Sequence, residues 1–207
     1  MHETLSYLAL SMGVAWASGI NLYAAVLVLG LLGATGNIPL PEALQVLQQP
    51  LVIGVAGLMY GIEFFADKIP GVDSAWDALH TFVRIPAGAV LAASVIADVD
   101  PSYTLAAALV GGGLTAGTHL TKASTRLLVN TLPEPFSNIG ASLAEDGMAV
   151  AGLWVALYYP LAFLILLGFF VLLMIWLLPI LWRGLKGLID TLRGFCRGTE
   201  PGQLPRQ

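Results

Sequence analysis

Charge is scarce in this chain. Only 11% of its 207 residues are Asp, Glu, Lys or Arg, against about 25% in a soluble domain. Hydrophobic residues make up 57%, and the mean hydropathy is +0.81. Much of the surface is therefore expected to meet lipid. Cysteine is scarcer still: the single Cys196 excludes an internal disulfide framework and a thiolate metal cluster. Basic excess is absent, since the net charge is −4, so no nucleic-acid partner is expected. No Gly-x-Ser-x-Gly elbow occurs, and Cys196 lies far along the chain from His80 and His119, so little supports a nucleophile mechanism. No cofactor is expected.

What is present is hydrocarbon in blocks. A helix needs about 20 apolar residues to cross a bilayer core. Residues 5–32 supply one block, interrupted by Ser18-Gly19-Ile20-Asn21; 51–66, 83–97 (with first turns from near Ala78) and 105–120 supply three more. The apolar run 148–182 is too long for one span, and Tyr158-Tyr159-Pro160 is its natural break, with the upstream span starting near Gly140. The expected fold is an all-α polytopic membrane bundle of about six spans with a broken first helix. Ala15-Trp16-Ala17 resembles a cleavage site, but His2-Glu3 lacks the positive leader of a signal peptide, so an uncleaved first segment is expected.

The nine basic residues all fall on one side of this threading, and the loops near 34–49, 98–104 and 158–160 hold none. The positive-inside rule makes that side cytoplasmic and puts both termini there. A re-entrant hairpin at Ser18–Asn21 would instead move the N-terminus outside. The expected location is a bacterial inner membrane, with a cytoplasmic C-terminus. Residues 1–182 read as one domain. Segment 183–207 reads as an amphipathic basic stretch, or a plain stop-transfer anchor, ending in a disordered tail.

An internal repeat shows at constant offsets. Gly57-Leu58, Gly61 and Glu63 match Gly113-Leu114, Gly117 and His119, and Gly88-Ala89 matches Gly140-Ala141. The units 51–98 and 105–158 would be parallel copies of a helical hairpin, with Gly57-xxx-Gly61 and Gly113-xxx-Gly117 packing the second span on the fourth.

Ions cluster where the hydrocarbon blocks meet. Glu63 and Asp67 stand at i, i+4; Lys68 follows. Asp73, Asp77, His80 and Arg84 share one helix face, leaving Trp76, Leu79 and Phe82 for other faces. His119, Lys122 and Arg126 share another, and Asn138, Ser142, Glu145 and Asp146 open the next span. Ions beside hydrocarbon cost about 2.5–3.5 kcal/mol each at a helix centre, so these nearly balanced charges are expected to face one another, first-unit acids toward second-unit bases.

The run Glu63, Ala66-Asp67-Lys68-Ile69-Pro70, Asp73, Asp77, Thr81, Arg84 and Ala87-Gly88-Ala89 resembles the signature of a bacterial multi-pass membrane family known as domain of unknown function 4126. His119, Lys122-Ala123, Arg126, Thr131, Asn138, Ser142 and Glu145-Asp146 continue the resemblance, as does Ser18-Gly19-Ile20-Asn21-Leu22-Tyr23. One departure is Ile139, where the pattern has proline. The resemblance implies membrane residence and a shared polar core, and no activity.

Three functions suit the cluster. A small transporter or permease, as a homodimer, would use Lys122, Arg126 and Arg84 for an anion or lipid headgroup, and Glu63, Asp67 and His119 for protons; Lys68, Asp73, Asp77, Asn138, Glu145 and Asp146 complete its expected site. A metal-dependent enzyme acting on a lipid phosphate would use Asp73, Asp77 and His80 as ligands. The third reading is a membrane scaffold with a structural ion network. Membrane lipids are the expected partners throughout.

Overall fold

The computed structural model describes residues 2–131 and 136–197, the side chains at 2, 184, 185 and 187–197 excepted. Among the described residues all regular structure is helical: α1 (His2–Ala34), a 3-10 segment (Glu42–Gln48), α2 (Pro50–Ala66), α3 (Val72–Val95), α4 (Pro101–Val129), α5 (Phe136–Tyr158) and α6 (Pro160–Arg197). Three helices are long and apolar enough to cross a membrane: α1, α3 and the first 24 residues of α6. The 3-10 segment and α2, which meet at 68°, would together make a fourth. α4 and α5 are long too, but they carry buried hydroxyl and charged residues.

Local chemistry sets most boundaries. Pro50 and Pro101 occupy first-turn positions, where a missing N–H costs nothing. Asp100 caps α4 by accepting from the Ser102 amide at 2.8 Å. Proline 160 starts α6 two residues after α5 ends, as its place after the paired tyrosines predicts. The Ile69-Pro70-Gly71 turn is present, with Gly71 at φ +85°. α3 begins at Val72, and Asp73 acts as a cap from inside its first turn. Its Oδ1 accepts from the Gly71 and Ser74 amides at 2.9 and 2.6 Å. α5 begins at Phe136 rather than near Gly140 and continues through Ile139, where no proline interrupts it. α6 runs unbroken past residue 182; the basic Arg193 and Arg197 side chains and the expected disordered tail lie outside the described residues.

The first helix is where the single-span threading fails. Asn21 is extended (φ −148°, ψ 99°), and its Oδ1 accepts from the Ala24 amide at 2.9 Å, so it is the N-cap of a second helix. Before it, Ser11 donates to the Ala92 carbonyl, Thr115 donates to the Ala15 carbonyl, and Ile20 meets Arg84 and Lys122. Residues 2–20 thus run antiparallel to α3 and parallel to α4. After it, Leu27 lies against Gly57, and Gly30 against Leu47 and Ile53, antiparallel to α2. Leu40 packs on Gly33 and lines the same cavity as Leu10. A straight helix would hold Leu10 and Gly33 about 34 Å apart. The chain therefore turns back at Asn21, and both ends of α1 lie at one end of the bundle. Gly19 permits the turn's close seat, since a Cβ there would stand 2.7 Å from the Thr115 carbonyl oxygen.

The outside is apolar and the inside is charged. Phe82, Leu79, Phe169, Leu172 and Trp176 are exposed, while Glu63, Asp73, Arg84 and Arg126 are fully buried. A soluble protein has the reverse arrangement, so this inversion fits lipid as the solvent. The two small-xxx-small motifs do not pack α2 on α4. Space around Gly61 and Gly113 is open, Gly57 meets only Leu27, and Gly117 meets Met174 of α6. Close packing uses other small residues instead: Gly88 against Thr115, Gly111 against Ala92, and Gly112 against Ala89. These join α3 to α4, the most extensive helix pair.

Candidate functional site

The reversed α1 delivers the carbonyl of Ile20, the last residue of its first half, into the middle of the bundle. Helix ends leave such carbonyls without intrahelical partners. Arg84 Nη1 donates to this one at 3.2 Å and Lys122 Nζ at 3.0 Å. Around these two cations the acids of α2 and α3 close in. Glu63 Oε1 pairs with Arg84 Nη2 at 2.6 Å, and Asp77 Oδ1 with Arg84 Nη1 at 3.2 Å. Lys122 has four carboxylates in range: Asp67 at 3.0 Å, Glu63 at 3.5 Å, Glu145 at 3.6 Å and Asp77 at 3.7 Å.

Arg126, one turn along α4, holds α5. Its Nε reaches Glu145 Oε1 at 3.0 Å and its Nη2 reaches Oε2 at 2.6 Å, the bidentate fork that a guanidinium offers. Nη1 donates to the Asp67 carbonyl at 2.9 Å, to Asn138 Oδ1 at 2.6 Å and to the Asn138 carbonyl at 3.1 Å. One side chain thereby ties α2, α4 and α5 together.

His119 is held between Thr81 and Arg84. The Thr81 hydroxyl donates to the Asp77 carbonyl at 2.9 Å, so it accepts from His119 Nε2 at 2.8 Å. Arg84 Nη1 only donates, so Nδ1, at 3.4 Å, accepts. The geometry selects the neutral Nε2–H tautomer. Arg84 thus links Glu63 and His119, which the expected packing of α2 on α4 would have brought together directly.

Two expected members stand apart from this centre. Lys68 lies at its rim, with Nζ 2.9 Å from the Phe64 ring centroid, 2.9 Å from the Phe64 carbonyl and 3.5 Å from Ser142 Oγ. Asp73 is a cap, bonded also by Asn130 Nδ2 at 2.8 Å, and reaches Arg126 only at 4.0 Å. Asn130 itself carried no signal in the sequence beyond its type. His80 stacks on the Trp76 ring with centroids 4.0 Å apart, and its Nδ1 faces the Trp76 carbonyl. Asp73, Asp77 and His80 therefore face three different sets of partners. Among the described residues no group of three or more His, Cys, Asp or Glu side chains converges on a metal position.

The expected charge balance does not hold inside the bundle. Among the described residues six carboxylates are buried (Glu63, Asp67, Asp73, Asp77, Glu145, Asp146) against three cations (Arg84, Lys122, Arg126). First-unit acids do face second-unit bases, but Arg84 sits among its own unit's acids and Glu145 faces its own unit's Arg126. Glu63 Oε2, Asp67 Oδ1, Asp77 Oδ2 and Asp146 Oδ2 are buried with no protein hydrogen-bond partner. Asp146 differs from the other five. Its Oδ1 accepts from Asn21 Nδ2 at 2.9 Å, and among the described residues no cation stands within 4.0 Å.

No curated protein and no solved structure matches the chain. A family model described as "Domain of unknown function (DUF4126)" matches residues 8–180, a stretch that contains α2 to α5 and every buried ion named above. The chain belongs to the DUF4126 family.

Proposed function

We propose that this protein is an integral membrane transporter of small solutes, with five crossing helices and α1 as a re-entrant hairpin. Its polar site lies nearer the end that carries Lys68 and Arg183, which the distribution of the nine basic residues makes cytoplasmic. The membrane is a bacterial inner membrane, and with the basic end taken as cytoplasmic the N-terminus is external. Broken helices that end inside a bundle are how transporters present backbone groups to a midplane site. Here Ile20 and Asn21 do so among ions contributed by four other helices.

One observation carries the solute class: among the described residues six carboxylates are buried in the bundle against three cations, and four of the six crowd the cations near the hairpin tip. Every cation already has at least two oxygen partners, so an anion or lipid phosphate would have to displace a carboxylate. A cationic solute, an organic amine or a proton, meets the acid excess directly. This charge excess favours a cation over the anion expected from the basic residues alone. The test is a thermal-shift screen of purified protein against amines, inorganic phosphate and lipid phosphates, because a ligand of the folded state raises stability by mass action. Amines should raise Tm, and the Glu63→Gln protein should lose the response. Stabilisation by phosphate and not by amines would restore the anion reading.

The scaffold reading draws on the closure of the network, since Arg84 and Arg126 are fully buried. A network selected only for stability has no use for four unpartnered carboxylate oxygens, each of which costs about 1–3 kcal/mol when left unpaired. Indifference to every solute, with ion substitutions that only lower Tm, would make the scaffold the better description.

A further inference from the structure

Among the described residues, Asp146 is the one buried carboxylate with no salt-bridge partner within 4.0 Å. It is also one of the two least sealed, with 8% exposure against 0–1% for Glu63, Asp67, Asp73 and Asp77. The other, Glu145, is clamped by Arg126. The charged and titratable groups around Asp146 are Lys122 from α4, Asp67 and Lys68 at the end of α2, Tyr60 two turns earlier, and its neighbour Glu145. From α1 it meets Asn21, whose amide binds Oδ1 while its own Oδ1 caps the second half-helix. Asp146 Oδ2 is buried without a protein partner. The group that lacks a salt-bridge partner is thus bonded to the residue at which α1 reverses.

We propose that Asp146 is a proton-binding site that latches the hairpin tip through Asn21. The proton bonds to Oδ2, and Oδ1 goes on accepting from Asn21, so the neutral carboxyl keeps the tip seated among Arg84, Lys122 and α5. When the proton leaves to water, a carboxylate without a salt-bridge partner is left in the interior, a state disfavoured by desolvation. Hydrating it requires the contact between α1 and α5 to loosen. The inference rests on the transport reading for its purpose, where it names the proton as the coupling ion, but its test contains no solute.

Amide hydrogen exchange across residues 16–26, measured in lipid nanodiscs at pH 5.5 and 8.5 and corrected for intrinsic rates, reads the latch. Wild-type protein should lose protection as the pH rises, by up to about tenfold per unit for one linked proton. Asp146→Asn mimics the protonated carboxyl and should stay protected at both values. Asp146→Glu, which still titrates, should keep a pH-dependent tip. Asn21→Ala removes the link and should exchange fast at both. A wild-type tip equally protected at the two pH values would overturn the latch, as would pH dependence that persists in Asp146→Asn. Neither result depends on whether any solute binds.

Discussion

Arg126 makes the clearest case for a single residue holding elements together. Its fork binds Glu145 in two places, and its remaining nitrogen reaches α2 and Asn138. Removing one partner of such a pair leaves a buried ion alone, which costs about 3–5 kcal/mol. Arg126→Ala should therefore lower stability by that order in a denaturation or thermal melt. Arg126→Lys should recover little, because an ammonium cannot reproduce the fork. The double change Arg126→Met with Glu145→Met should recover part of the loss, as the carboxylate held in the fork is removed together with its partner. His119 makes a second, smaller case. As a neutral donor to Thr81 and acceptor from Arg84, it should show an unprotonated Nδ1 by 15N chemical shift at neutral pH. His119→Gln keeps a donor and an acceptor, whereas His119→Ala strands both partners at about 1–3 kcal/mol.

Helices here meet through small residues, though not those the small-xxx-small spacing singles out. A Cβ on Gly88 would collide with Thr115 Oγ1, which is itself bonded to the Ala15 and Gly111 carbonyls. Gly88→Ala should destabilise by about 1–3 kcal/mol through overpacking. Gly61→Ala and Gly113→Ala, facing open space, should leave the melt unchanged or slightly raised. A loss at Gly61 or Gly113 equal to that at Gly88 would show that those faces are covered. The α4 start offers a pH-dependent contrast. The Ser102 hydroxyl and amide hold the exposed Asp100 carboxyl below its ordinary range. A lowered carboxyl stabilises above the unfolded value, near pH 3.9, and the benefit goes as pH falls through the folded value. Asp100→Ala should lower Tm at pH 7, by an amount that shrinks as the pH falls below about 4.

At the scale of the molecule, the reversal of α1 changes the topology that apolar blocks alone imply. Thr4 and Gln45 lie at one end and Ile69 at the other. In a Cys196→Ser background, a membrane-impermeant thiol reagent added outside intact cells should label Thr4→Cys and Gln45→Cys but not Ile69→Cys. Labelling of Thr4→Cys only after permeabilisation would put the N-terminus with the basic end and return α1 to a single span. Much of this architecture was readable beforehand. The helix positions, the break near Asn21, the proline break at Tyr158–Pro160 and the shared inward face of Asp73, Asp77, His80 and Arg84 all follow from period and local chemistry. The pairing of those ions was not readable in detail. Lys122 and Glu63, or Arg126 and Glu145, are joined by chain direction and by which helices α1 separates, and neither is a local property.

By itself the sequence determined an all-helical chain with a lipid-compatible exterior, the helix boundaries that proline marks, and which charged residues share a face. These depend on a few neighbouring residues, through apolar periodicity, capping groups and proline. Only the tertiary structure decided that α1 doubles back, that small residues outside the two motifs make the tight contacts, and that buried acids outnumber buried bases. The Asn21–Asp146 bond spans 125 positions, and one residue's backbone angles set the course of a whole half-helix. Contacts of that range depend on how every helix packs at once, so no local pattern encodes them.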